Sequence, residues 1–445
     1  MIRIISIKNS PRLQYTASVV FETILGIRYE ILVAENKAEA LRITADNHPF
    51  ILYGYPSNSH FSIPAEALLF EDDIRKQAIE ISHVGMPEIH FSEKNFEGYS
   101  FDFDLFSAVF YLVTQYENYL SKDVDEHGRY IENPEKLISD GFIKEPLVDI
   151  YAAVIRENLK KVYPSLQRID PEFDYKITFD IDSPYLYKHK GPLLTFATLA
   201  KTILKLNINS FLEQIKVLSG SKDPYDVFDE IANMVPVHNL LFFFLLDRHS
   251  KYDTRYIYKN KAYRKLIKQI SDAGIETGIH PSYTSYKNAE QIKSETKKLE
   301  NIAGKAVTSS RMHFLKYSLP DTFNYLLQAG IMDDYTLCPI HYSGFKNHIS
   351  RPFLWFDLSR NCETNLTIHP TMVMDRSLQK YMGLSPEAAF EEIKSLIDTT
   401  YRYHGVFTIL FHNSSLSEIE EWKGWKTIFT KTIEYLAIKK TDFES

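Results

Sequence analysis

The stretch Lys176-Ile177-Thr178-Phe179-Asp180-Ile181-Asp182 decides the fold. Its β-branched and aromatic residues read as a strand, and the strand ends in two acids two positions apart. Residues i and i+2 of a strand share a face, so both carboxylates leave on the same side. The same grammar recurs downstream. Leu241 to Leu246 runs into Asp247 and Arg248, and Ile275 to Ile279 runs into His280. The strand near Val307 runs into Arg311 and His313, and Thr408 to Phe411 runs into His412. A single polar strand end is ordinary turn chemistry. Five apolar runs that each end in acid–base or metal-binding groups point instead to a site. The C-terminal strand ends of a parallel β/α barrel converge on its functional face.

Strand-like runs at 176–179, 240–246, 275–279, 306–309, 335–337, 366–368 and 406–411 alternate with helix-like stretches at 193–206, 226–234, 262–273, 289–302, 320–329 and 386–403. That alternation predicts right-handed βαβ units, a mostly parallel sheet and an α/β fold of the distorted (β/α)7 barrel type over residues 170–445. Residues 1–165 read as an N-terminal α/β accessory domain. They offer strand-like runs at 2–7, 29–33 and 50–53 and helical spacing over 13–25, ending at Gly26. Phe103, Phe106, Val109, Phe110, Val113 and Tyr116 mark a buried amphipathic helix, with Asp102 or Asp104 as its cap. The boundary falls in the proline-containing stretch 163–175, and the turn-like Glu126-His127-Gly128-Arg129 reads as structural.

A chain of 445 residues suits two domains. The formal charge of −7 and the lack of a basic stripe exclude an ordinary nucleic-acid binder. The lysine pairs 297–298 and 439–440 read as solvated helix faces. Cys338 and Cys362 form no CxxC pair, which excludes a zinc ribbon and a dithiol redox motif; both are expected as reduced thiols. Aromatics make up 14% of the residues and are assigned first to the core. The N-terminus carries no secretory signal pattern, and the apolar run 240–246 is too short to span a bilayer. The expectation is a cytoplasmic protein with no membrane span.

These strand-end residues also carry a family resemblance. TFDID (178–182) resembles the first motif of polysaccharide deacetylases of the NodB-homology, carbohydrate esterase family 4 type, with one residue inserted between the acids. GIHPSY (278–283) resembles the second motif, RMHFLKY (311–317) stands at the third, Asp333 and Asp334 stand at the fourth, and LFHNSSL (410–416) resembles the fifth. The whole chain further resembles Bacteroidetes-type deacetylase-like proteins with an extra N-terminal domain, through FDFDLFSAVFYLVTQYENY, DEHGRY, FDIDSPYLYKHKG and GIHPSY.

The resemblance implies a NodB-like barrel and a metal-dependent hydrolase that removes acetyl groups from an N-acetylated saccharide or related amide. It implies a divalent metal, zinc first and cobalt or nickel as substitutes, held by Asp182 and His280. It implies Asp180 as general base, Arg311 as its partner, and His412 as general acid oriented by Asp334, or else by Asp333. The sequence departs from the pattern at Thr284, where the second motif has a second histidine. Three readings follow. His313 supplies the missing ligand; or the metal is weak or absent; or catalysis is lost and a saccharide-binding or assembly protein remains. A glycoside hydrolase ranks last, because Asp180 and Asp182 are too close to flank a scissile bond. The expected partner is a saccharide, with homo-oligomerisation left open. His341 and His369 read as structural.

Overall fold

The computed structural model describes residues 1–445 except 45–47, 83–85, 93–95, 132–141, 165, 167–170, 205–207 and 445. The chain divides into two compact units. The first comprises Met1–Asp174, Gly344–Pro370 and Asp398–Phe407, and the second comprises Tyr175–Ser343, Thr371–Ile397 and Thr408–Ser445. The first unit is therefore built from three pieces of chain rather than from residues 1–165 alone. Residues 165 and 167–170 of the expected boundary lie outside the described residues.

In the first unit, β1 (Ile2–Ser6), α1 (Pro11–Ala17), β2 (Tyr29–Val33), α2 (Lys37–Ile43), β3 (Phe50–Tyr53) and β4 (Ser62–Ile63) form a parallel sheet in the order β2-β1-β3-β4. The Ser10 side chain caps α1, and the helix continues as a π-helical turn over Ser18–Ile24. A small antiparallel pair follows, β5 (Glu80–Ser82) with β6 (Glu88–His90). Then α3 (Leu105–Val113) is buried along its whole length, as its apolar and aromatic run demands. Its cap is Asp104, whose Oδ1 accepts from the Ser107 amide at 3.0 Å; Asp102 has no part in it. The last helix of this stretch is α4 (Leu147–Val162).

The second unit begins with β7 (Asp174–Ile181) and continues through α5 (Pro192–Leu204), α6 (Ile208–Leu218), α7 (Phe228–Met234), β8 (Leu240–Phe244), α8 (Lys261–Asp272), β9 (Glu276–Ile279), α9 (Ala289–Ala303), β10 (Ser309–Ser310), α10 (Asp321–Gln328) and β11 (Asp333–Asp334). The chain then returns to the first unit as an antiparallel hairpin, β12 (Phe353–Asp357) with β13 (Cys362–Ile368). The strand expected at 366–368 is thus one half of a hairpin, antiparallel to β12. The remaining elements are β14 (Val373–Met374), α11 (Pro386–Arg402), β15 (Val406–His412) and α12 (Trp425–Glu444).

The second unit's strands run in the order β11-β10-β9-β8-β7-β15-β14. Pairing is parallel from β7 to β8, β9, β10 and β11, and from β15 to β14. Past the strands, the Thr371 amide donates to Leu337 O at 3.0 Å and ties the segment before β14 to the one after β11. No strand ladder joins β11 to β14 among the described residues.

The run Leu240–Phe244 is buried at every position because both sheet faces are covered. On one face Phe242 stacks on Phe179, which stacks on Phe411, and Phe429 of α12 meets both Phe179 and Phe411 edge-on. On the other, Leu241 and Phe243 pack with Tyr335. Burying aromatic faces in this way supplies much of the core's stabilisation. Cys338 and Cys362 form no disulfide.

Candidate metal centre and its acid–base partners

Parallel strands end on one side, and ladder bonds continuing past the strands fix where the next residues go. The His280 amide donates to Phe244 O at 3.1 Å, the Arg311 amide to Ile279 O at 3.0 Å, and the His313 amide to Pro281 O at 3.1 Å. These bonds carry three sequentially distant side chains to the two acids that end β7.

Asp182, His280 and His313 each offer one donor atom, and those atoms lie within 4.8 Å of one another. Asp182 Oδ1 stands 3.4 Å from His280 Nε2 and 3.7 Å from His313 Nε2. It is buried and has no hydrogen-bond donor among the described residues, although the Asp182 side chain as a whole is 41% exposed. Both histidine tautomers follow from their second nitrogens. His280 Nδ1 lies 2.5 Å from the Arg311 carbonyl, which only accepts, so Nδ1 carries the proton. His313 Nδ1 lies 3.2 Å from Asp253 Oδ1 and donates to it. Each ring is left with Nε2 aimed at Asp182, the arrangement that metal-ligating histidines require.

Thr284 lies outside this group; its hydroxyl is 3.5 Å from Gln291 Oε1 at the start of a short helical turn. His313, not Thr284, stands beside His280 and Asp182. The turn that presents it carries Phe314 and Leu315 at φ of 62° and 55°.

Charge balance agrees with cation demand. Burial alone would raise the Asp182 carboxyl, but His313, His280 and His412 outweigh it and hold the group below the usual carboxylate range. Burial alone would lower His280, but Asp180 and Asp182 outweigh it and raise the imidazole above its ordinary value. The cluster therefore asks for positive charge between Asp182 and the rings, whether as protons or as a cation. Two imidazole nitrogens and a carboxylate oxygen suit zinc and similar divalent ions.

Asp180 meets the same histidine and a second cation. Its Oδ1 accepts from Arg311 Nη1 at 3.0 Å, and its Oδ2 lies 3.6 Å from His280 Nε2. The Arg311 guanidinium is fully buried; it also donates to Thr178 Oγ1 (2.9 Å), Tyr335 O (2.9 Å) and Thr371 Oγ1 (3.0 Å) and rests 4.7 Å over the Phe243 ring. A buried charge with this many acceptors is rigid.

His412 closes the group, with Nε2 3.9 Å from Asp182 Oδ2. Its partner is Asp375, and the expected roles of Asp334 and Asp333 are corrected. Asp375 Oδ1 accepts from His412 Nδ1 at 2.8 Å, and Oδ2 accepts from the His412 amide at 2.7 Å. Asp334 is turned to Ser310 Oγ (2.7 Å) and Thr336 (amide 2.9 Å, Oγ1 2.8 Å), a local staple between β10 and β11. Burial would lower His412, but Asp375 outweighs it and pushes the ring up to about 9.

Asp375 and Asp253 escaped the sequence reading. Asp375 ends the apolar run Thr371-Met372-Val373-Met374, which is the strand-end signal, but β14 has only two residues and shows no periodicity. Asp253 lies in a polar loop with no signal. Its carboxylate gathers the amides of His249, Ser250 and Tyr283 besides His313.

A second group, Asp247, His249 and Glu295, also lies close together. Its acids already have donors. Lys298 Nζ bonds Asp247, and Ser282 and Gln291 bond Glu295. Lys298 is therefore an ion-pair partner and not a merely solvated lysine.

A family of unknown function, DUF7033, matches residues 2–164. No curated protein matches the chain. Among solved structures, a candidate polysaccharide deacetylase from Mycobacterium smegmatis is similar at 16% identity, covering 62% of this chain and 87% of that one with a TM-score of 0.38. A family 4 carbohydrate esterase from Streptomyces lividans, in complex with acetate, is similar at 12% identity, 60% and 90% coverage and a TM-score of 0.30. A 4-alpha-glucanotransferase from Thermococcus litoralis is similar at 14% identity, 61% and 38% coverage and a TM-score of 0.37. Likeness at this level assigns no chemistry, and the side chains must supply it. Among the described residues no helix is long and apolar enough to cross a membrane.

Proposed function

We propose that the second unit is a metal-dependent amide hydrolase that removes acetyl groups from an N-acetylated saccharide. The supporting observation is the buried, donorless Asp182 Oδ1 faced by the Nε2 atoms of His280 and His313. These three residues fit a divalent cation, zinc by their chemistry. When bound, such an ion polarises the acyl carbonyl and acidifies water.

The protein's own groups divide the proton work. Asp180, oriented by its hydrogen bond from Arg311, takes the proton from the attacking water. His412, held charged by Asp375, lies across Asp182 from the histidine pair and gives its proton to the leaving amine. A carboxylate oriented by Arg311 and an imidazole held charged by Asp375, both close to Asp182 and its histidines, supply a base and an acid for the same reaction.

The test is acetate release from chitooligosaccharides and from small N-acetyl sugars by chelated protein, with zinc, cobalt or nickel restored. The expected result is activity that returns with metal and disappears in Asp180→Asn and His412→Gln. Metal-independent release, or none with any metal while the cluster binds zinc, would leave the reading without support.

A further inference from the structure

The loop after β7 leads into a helical hairpin that is built inside out. On α5, Leu193 is 82% exposed, Phe196 73%, Ile203 56% and Leu204 84%. On α6, Ile208 is 68% exposed, Leu212 58%, Ile215 41% and Leu218 41%. The α6 set recurs at four- and three-residue steps, and the α5 set at three and seven with Leu204 adjoining Ile203, so each set falls along one helix face. In a helix that packs on a core this stripe points inward.

On α6 only Gln214 and Val217 are buried, and α5 has no buried residue. Gln214 is fully buried, and its Nε2 donates to Thr198 Oγ1 at 3.0 Å and to Thr195 O at 3.5 Å. Thr195, Thr198 and Thr202 of α5 turn their hydroxyls onto the backbone carbonyls of Gly191, Leu194 and Leu199 (2.8 Å each). Hiding hydroxyls on the helix backbone while displaying leucine and phenylalanine suits apolar surroundings rather than water. An exposed patch of this size marks an interaction surface.

Charge identifies the occupant. Between Lys188 and Lys222 the sequence holds six lysines and one acid, Glu213, in a chain of net charge −7. Lys201, Lys216 and Lys222 are exposed. The base of the hairpin is rigid. Asp223 accepts from the amides of Leu186, Tyr187 and Lys188, and the carbonyls of Lys188 and His189 accept from Tyr256 Oη and Asn260 Nδ2. At 13 residues α5 is about 20 Å long, too short to cross a bilayer's hydrocarbon core of about 30 Å.

We infer that the α5–α6 hairpin is an interfacial anchor for an anionic lipid surface. Apolar stripes enter the headgroup boundary while lysines meet lipid phosphates. Asp182 lies ten residues before Pro192. Resting on the hydrolase reading, this anchor implies substrates that are saccharides carried on lipid.

The test is co-sedimentation of the full chain with vesicles of phosphatidylethanolamine and phosphatidylglycerol, and with vesicles of phosphatidylcholine alone. Binding to the anionic vesicles is expected to be about tenfold stronger or more. It should fall by at least that factor in Phe196→Glu/Leu204→Glu and in Lys201→Glu/Lys216→Glu, with unchanged melting and unchanged acetate release from a soluble N-acetyl sugar. No binding to anionic vesicles, or equal binding by the variants, overturns the inference. So does light scattering that shows a lipid-free dimer dissociated by Phe196→Glu/Leu204→Glu, which would make a second copy the occupant. Absence of vesicle binding by the unaltered chain, with its acetate release intact, sinks the anchor alone. Absence of acetate release with vesicle binding intact sinks the hydrolase reading alone.

Discussion

A buried carboxylate oxygen without a donor is costly unless positive charge is placed beside it, and Asp182 Oδ1 is in that position. His280 and His313 answer it, and Asp253 sets the His313 tautomer. His313→Ala is therefore predicted to abolish tight zinc binding, whereas Thr284→Ala leaves it unchanged. Asp253→Asn should weaken zinc binding by about 10- to 100-fold, the usual effect of losing a ligand's orienting partner. Competition with a chromophoric chelator reads all three.

The proton balance gives a sign for pH. His280 is raised in the folded protein, so it must lose a proton to take a cation, and apparent zinc affinity rises with pH. His412 in chelated protein is predicted to titrate near 9 by NMR and to move down in Asp375→Asn, which removes the main charge holding it up. Because its folded value is raised, its contribution to stability is complete below about pH 6.5 and is lost as pH rises through about 9. An unchanged His412 titration in Asp375→Asn would remove Asp375 from its role. The acids and histidines of the cluster were legible in sequence because each follows an apolar run. The two carboxylates that orient the rings were not, since a loop acid and the end of a two-residue strand carry no periodic signal.

Among the elements, the strand ends act as a template. Gly278 in β9 shows how tight it is. A Cβ there would stand 2.5 Å from the Phe243 ring and 2.9 Å from Ser309 O. Gly278→Ala should destabilise by about 1–3 kcal/mol through overpacking and should displace His280, two residues on. Urea unfolding checks the first effect and zinc affinity the second. Arg311→Met should cost more, about 3–5 kcal/mol, because it leaves the buried Asp180 without its cation.

Long strands and helices such as β7, β8, α8, α9 and α11 were legible from periodicity and length. The expected strand at 306–309 proved to be the short β10 at Ser309–Ser310, and β14 was missed, because two-residue strands are defined by neighbours rather than by their own pattern. The α5–α6 hairpin misleads in the opposite way. Only 193–206 read as helix-like from sequence, α6 was not expected, and only the exposure of the apolar residues shows the unpartnered face.

For the molecule as a whole, alternation of strands and helices predicted the parallel sheet, but the interleaving of two units could not be read from it. Returning segments such as 344–370 join the first unit through long-range packing that leaves no local trace. Neither cysteine forms a disulfide, so adding dithiothreitol should leave the melting temperature unchanged. Everything chemical depends on one spot in the second unit. Crystals soaked in zinc and measured on either side of the zinc absorption edge locate it directly. The account predicts one strong anomalous peak about 2.0–2.2 Å from an Asp182 carboxylate oxygen and from Nε2 of both His280 and His313. A peak elsewhere, or none at this cluster, would contradict it.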